Sequence, residues 1–101
     1  MENTYLSGIA DYKDQEATFN GWVYNTRSVG KIWFLILRDG TGMTQCVVTR
    51  DNTTDDIFNL EKTLTQESSV SVTGVVKKEP RSVGGHEMLV KNIVEIGRAH
   101  V

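Results

Sequence analysis

Four residues in this 101-residue chain carry groups suited to gripping a flat, hydrogen-bonding ligand such as an unpaired nucleotide. Phe34 lies in an apolar run spanning residues 32–37, and alternation along a strand sets it opposite Trp33, Leu35 and Leu37. If those three fill a core, Phe34 faces outward. An outward ring on a sheet is a stacking platform, worth about 1 to 3 kcal/mol per base, although a ring packed beneath a loop fits the same pattern. Gln45, in the next strand-like stretch, offers an amide donor and acceptor to a base edge, unless it is surface filler. Arg27 can meet a phosphate or a base carbonyl, or be merely solvated. Glu87 can accept from base amino or imino groups, or serve as a solubilising charge on an edge strand.

Other kinds of chemistry find little support. No catalytic triad, glycine-rich phosphate loop or paired carboxylate site is present. The only cysteine, Cys46, excludes an internal disulfide, and with only His86 and His100 beside it no structural zinc cluster can form. Cys46 sits in an apolar stretch with no sequence neighbour to activate it, so an inert buried thiol is expected. The net charge of −2 argues against a generic nucleic-acid binder, whose domain is usually basic. The charge is segregated, however. Residues 1–16 and 51–70 are acidic, whereas 17–50 and 71–101 are basic, so a local basic face remains possible. Lys77, Lys78 and Arg81 are expected to extend its rim, and Arg38 with Asp39 to form a charge pair that fixes a hairpin. Apolar runs fall far short of the roughly 20 residues a membrane helix needs, and the start resembles no secretory signal; a cytoplasmic chain is expected.

One small domain must position these groups. Hydrophobic residues make up 39% and charged residues 24%, with nine glycines and one proline, a globular composition. Residues 1–16 read as an irregular or weakly helical lead-in. Strands are predicted over 17–27, 32–39, 43–50, 68–78 and 86–96. Gly21 is expected to break the first at a bend or bulge, residues 28–31 to turn it, and Gly40, Thr41 and Gly42 to make a tight hairpin. Thr54, Asp55 and Asp56 start a helix of about three turns, with Ile57, Phe58, Leu60 and Leu64 clustered on one side. Pro80 and Arg81 through Gly85 form a loop. Three strands, a helix and two strands can close into a five-stranded Greek-key barrel plugged by the helix, the order of an oligonucleotide-binding (OB) fold. An SH3-like barrel is the alternative, disfavoured by the helix. Binding then belongs on the face of the second and third strands. A generic single-strand binder and a protein-interaction barrel both remain compatible with that architecture.

The stretch G-W-V-Y-N-T-R-S-V-G-K-I-W-F-L-I-L-R-D-G-T-G-M-T-Q-C-V-V, residues 21–48, resembles the N-terminal anticodon-binding domain of class IIb aminoacyl-tRNA synthetases. With E-S-S-V-S-V-T-G and G-G-H-E it is most similar to the asparaginyl enzymes; aspartyl and lysyl enzymes share the frame less closely. The resemblance covers residues 17–99 and implies an OB-fold domain there, with 100–101 a tail or linker. It implies that the partner is an asparagine-accepting tRNA whose anticodon has uracil in the middle. The family's stacking phenylalanine falls on Phe34, its glutamine on Gln45, its strand-one arginine on Arg27 and its last-strand glutamate on Glu87. Ile36 departs from the pattern, since relatives often place a polar residue there. The family's catalytic domain, which uses ATP and magnesium and dimerises, follows this module, so the resemblance implies a chain that binds RNA with no cofactor, metal or catalytic residue of its own.

Overall fold

Alternation sorts the side chains of each strand into an inner and an outer set, and the inner sets are large and apolar enough to close on one another. In the computed structural model, which describes residues 5–97, five strands form a closed barrel: β1 (Glu16–Val29), β2 (Ile32–Arg38), β3 (Met43–Thr49), β4 (Ser69–Lys78) and β5 (His86–Gly97), in the order β1-β2-β3-β5-β4. Trp33, Leu35 and Leu37 of β2 point inward, as do Cys46 and Val48 of β3, Val70, Val72 and Val76 of β4, and Met88 and Val90 of β5. All neighbours are antiparallel except β3 and β5, whose short parallel ladder closes the barrel. The first half of β1 pairs with β4 and the second half with β2. A long coiled strand thus serves both edges, leaving no open one.

Two of the sheet's three register breaks bear on which residues face out. In β1 the pairing skips Tyr24, running from Val23 opposite Leu37 to Asn25 opposite Ile36. This bulge inverts the inward and outward order beyond it. Strict alternation from the buried Val23 would aim Arg27 into the core; the extra residue puts it outside. In β5, Lys91 is extra between the partners of Thr73 and Gly74, and the buried position shifts to Ile93. The break in β1 therefore lies at Tyr24 and not at Gly21. Gly21 answers a different need: a Cβ there would stand 2.5 Å from the Arg38 carbonyl oxygen. Gly74 has the same role, with the Leu89 carbonyl oxygen 2.4 Å from where its Cβ would be.

The connections depart from the sequence reading in three ways. β1 continues through Ser28 and Val29, so the first hairpin turns on Gly30 and Lys31 alone, with Gly30 at φ 61°. The expected three-turn helix is one α turn, α1 (Asp55–Phe58), capped by Thr54, whose hydroxyl accepts from the Ile57 N–H, and then a 3-10 turn, Asn59–Lys62. The Phe58 carbonyl at the end of α1 accepts from Trp33 Nε1 at 2.8 Å, and Asn59, which follows directly, is a weak helix former. Ile57, Phe58 and Leu60 still pack on the core, and Leu64 is buried. Finally, Arg38 and Asp39 do not pair: Arg38 meets Glu67 at 3.4 Å, while Asp39 ties the turn.

Asp39 also fastens the lead-in. Residues Leu6–Tyr12 form a 3-10 helix that buries Leu6 and Ile9 in the barrel core, and Tyr12 meets Phe19 edge-on at 5.8 Å. The Asp39 carboxylate accepts from the Leu6 N–H at 2.7 Å, from the Thr41 N–H at 2.8 Å and hydroxyl at 2.6 Å, and from the Gly42 N–H at 3.2 Å. Partial burial pushes its pKa upward, but these bonds favour the anion more strongly and hold it below the ordinary value. In the unfolded chain the group takes up protons first, so its contribution is complete above roughly pH 4 and fades as pH falls through the lower folded value. Asp39→Ala is therefore expected to cost about 1 to 3 kcal/mol at neutral pH, and urea titrations should show the gap from the parent narrowing in acid below that range.

Candidate nucleic-acid interface

Strand register gathers the four candidate residues onto one outer face. Arg27 lies opposite Phe34, Phe34 opposite Val47, and Val47 opposite Leu89, forming one row across β1, β2, β3 and β5. The adjacent row runs Asn25, Ile36, Gln45 and Glu87. Each row draws one residue from each of these four strands, and the two rows are neighbours along the strands. The resulting patch has an aromatic ring and aliphatic floor at one level and amide and carboxylate groups at the next. The candidates therefore adjoin one another, although the sequence spreads them over 61 positions.

Phe34 is half-buried on the outside, not sealed in the core, while its neighbour Trp33 is 1% exposed inside. The Arg27 guanidinium stands over the Phe34 ring, 5.1 Å from its centroid, a cation–π contact that aligns a flat cationic fork with a flat apolar surface. Arg27 is exposed and enters no ion pair among the described residues. In the second row, Gln45 Nε2 donates to Glu87 Oε2 and to Ser82 Oγ, both at a long 3.4 Å. Loose bonds of this length orient the two side chains toward each other yet exchange readily for shorter ones to a ligand. The two partners of this contact come from opposite sides of the parallel β3–β5 closure, which only the complete barrel creates.

Two neighbours of these residues carry no signal of their own in the sequence. Asn25 is exposed beside Ile36, but its outward aim depends on the Tyr24 bulge, which no residue type announces. Ser82 touches Gln45 from the loop before β5, a long-range contact without a local signal. The expected basic rim is smaller than foreseen: Lys77 pairs with Asp14 at 3.2 Å and Arg81 with Glu79 at 3.4 Å. Cys46 is fully buried, and burial pushes its thiol far above the ordinary value, so it is inert at neutral pH. No three His, Cys, Asp or Glu side chains gather in a metal-holding group among the described residues.

A closed five-stranded barrel with a helical turn between β3 and β4 defines a domain of the OB class, not an SH3-like barrel. Residues 17–96 match the tRNA anticodon family, described as an OB-fold nucleic acid binding domain, and the chain belongs to that family. It is 44% identical over 99 residues to the asparagine–tRNA ligase of Desulforamulus reducens, covering 98% of this chain and 23% of that protein. Against the asparagine–tRNA ligase of Pelotomaculum thermopropionicum it is 45% identical over 93 residues, 92% of this chain and 22% of the other. Its fold superposes on the crystal structure of asparaginyl-tRNA synthetase from Pyrococcus horikoshii, complexed with asparaginyl-adenylate, with a TM-score of 0.89 and 35% identity over 98% of this chain and 23% of that one. The chain thus spans less than a quarter of these relatives.

Truncating the two adjacent aromatics on β2 should cost very different amounts. Trp33→Ala removes a buried ring and the indole bond to Phe58, an expected loss of about 3 to 5 kcal/mol. Phe34→Ala removes a half-exposed ring and should lower stability by only about 1 kcal/mol. Urea denaturation followed by circular dichroism separates the two.

Proposed function

We propose that this chain is the anticodon-binding domain of an asparaginyl-tRNA synthetase and reads an anticodon whose middle base is uracil. The observation that carries the reading is the pair of adjacent rows, Arg27 with Phe34 and Gln45 with Glu87, on the outer face of a barrel whose relatives are asparagine–tRNA ligases. In this account the anticodon loop opens over β1, β2 and β3. The central uracil stacks on Phe34, and Arg27 and Gln45 satisfy its carbonyl and imino groups. Glu87 accepts from a base adjoining it. Unstacked bases held on aromatic rings and read along their pairing edges are how single-stranded RNA is generally recognised on sheets.

Selectivity follows from unpaired groups. Cytosine presents an amino group where uracil presents a carbonyl, so Arg27 would face a donor with a donor. A mismatch of this kind costs about 1 to 3 kcal/mol. Joining asparagine to tRNA with ATP and magnesium is assigned to the catalytic part of such an enzyme, and no step of that reaction falls to residues described here. A generic single-strand binder is the weaker reading because the net charge is −2 and Arg38, Lys77, Arg81 and Lys91 are each engaged by a carboxylate.

Fluorescence titration of the chain with an asparagine tRNA anticodon stem-loop, and with a loop carrying cytosine in the middle, tests the proposal. Uracil is expected to bind more tightly, by about 1 to 3 kcal/mol. Phe34→Ala should weaken the cognate loop by a similar amount while the protein stays folded. Equal affinity for both loops would remove the specific reading.

A further inference from the structure

The arginine-over-aromatic contact at Phe34 recurs farther down the same ladder. At the bulge of β1, Tyr24 is 42% exposed, and the Arg38 guanidinium stands 5.5 Å from its ring centroid. Phe34, Ile36 and Arg38 occupy successive outward positions of β2, so Arg38 lies roughly 13 Å along the strand from Phe34 at a rise of ~3.3 Å per residue. The partners are exchanged between strands. At the upper level β1 supplies the arginine and β2 the ring; at the lower level β1 supplies the ring and β2 the arginine.

The lower level is braced from outside the sheet. Arg38 is held at 3.4 Å by Glu67, and Gln66 Nε2 donates to the Tyr24 carbonyl at 2.9 Å. Both braces leave the tyrosine ring and hydroxyl without a hydrogen bond to any described residue, and the second fixes the backbone at the point where the extra residue re-aims the chain. Bulges that re-aim a side chain concentrate beside functional sites. With Glu67 neutralising Arg38, this level offers a flat surface and little net charge, which suits a base more than a phosphate.

We propose that Tyr24 is a second base-stacking platform, taking the nucleobase of a nucleotide that flanks the one on Phe34, with Arg38 and Glu67 as its positioning residues. This rests on the proposed reading of the Phe34 face as an RNA site. A single strand laid along the outside of β2 then meets two rings in series, with the aliphatic Ile36 between them. Stacking is indifferent to base identity because every base has a π face, so Tyr24 adds affinity and register without choosing the middle base.

The test titrates the parent chain, Tyr24→Ala, Tyr24→Phe and Phe34→Ala with the anticodon stem-loop, its middle-cytosine variant, and two loops made abasic on either side of the middle position. Tyr24→Ala should weaken the uracil and cytosine loops by the same factor, about 5- to 100-fold. Tyr24→Phe should stay within about twofold of the parent. The Tyr24→Ala effect should vanish on one of the two abasic loops, as a coupled pair requires. Thermal unfolding of each variant establishes that it is folded. Unchanged binding by a folded Tyr24→Ala chain, a loss confined to the uracil loop, or an effect that persists on both abasic loops would overturn the second platform. If the parent fails to distinguish uracil from cytosine, the middle-base reading falls, while the Tyr24 comparison on the abasic loops still decides this one.

Discussion

The outer face depends on one extra residue in the first strand. Side chains of a strand alternate strictly, and Val23 is fixed inside by the core; without the Tyr24 bulge, Arg27 would enter a barrel interior already filled by Trp33 and Leu35. The insertion reverses the order, sets Arg27 over Phe34 and brings Asn25 into the row with Ile36 and Gln45. It also raises the local twist of β1, which helps one strand to pair with β4 at its start and β2 at its end. A single local irregularity therefore couples closure of the barrel to the composition of its candidate binding face.

Much of this was legible in the residues. The alternation of Trp33, Leu35 and Leu37 with Ile32, Phe34 and Ile36 announced both the core and the outward phenylalanine, because burial selects large apolar side chains at every second position. Thr54 with Asp55 and Asp56 announced a helix start, since a hydroxyl cap and early acidic residues satisfy free N–H groups. Its length was not legible: Ile57 and Leu60 pack on the core from an α turn and a 3-10 continuation, with Leu64 buried beyond both, and a period of 3.6 cannot distinguish these over so few residues. The position of the bulge was hidden because bulges follow from tertiary pairing, and glycine marks close approach as often as irregularity. Gly21 marked close approach. The Gln45–Glu87 contact was hidden for another reason, as it spans a parallel junction that exists only in the closed barrel.

Charge on this domain serves geometry more than attraction. Arg38, Arg50, Lys77, Arg81 and Lys91 each meet a carboxylate, exposed pairs that add little stability individually but keep cations from acting as a diffuse phosphate trap. Asp39 spends its charge on four bonds that join the β2–β3 turn to the lead-in helix. Arg27 is the cation of the candidate site left unpaired, and it sits on the ring where a base is expected. On the proposed reading such a surface would discriminate through fit and hydrogen bonding, with less reliance on counterion release than a basic groove shows.

The whole proposed interface turns on a base lying on Phe34, outside the barrel. Intermolecular nuclear Overhauser effects between the Phe34 ring protons and the H5 and H6 of the middle uracil, in the chain bound to the anticodon stem-loop, measure it directly. These cross-peaks are expected, with shifts spreading through Arg27, Gln45 and Glu87. Perturbations confined to the cleft of Asn20, Trp22, Ser69 and Ile96 along the β1–β4 pairing, with no contact to the Phe34 ring, would show that no base lies there.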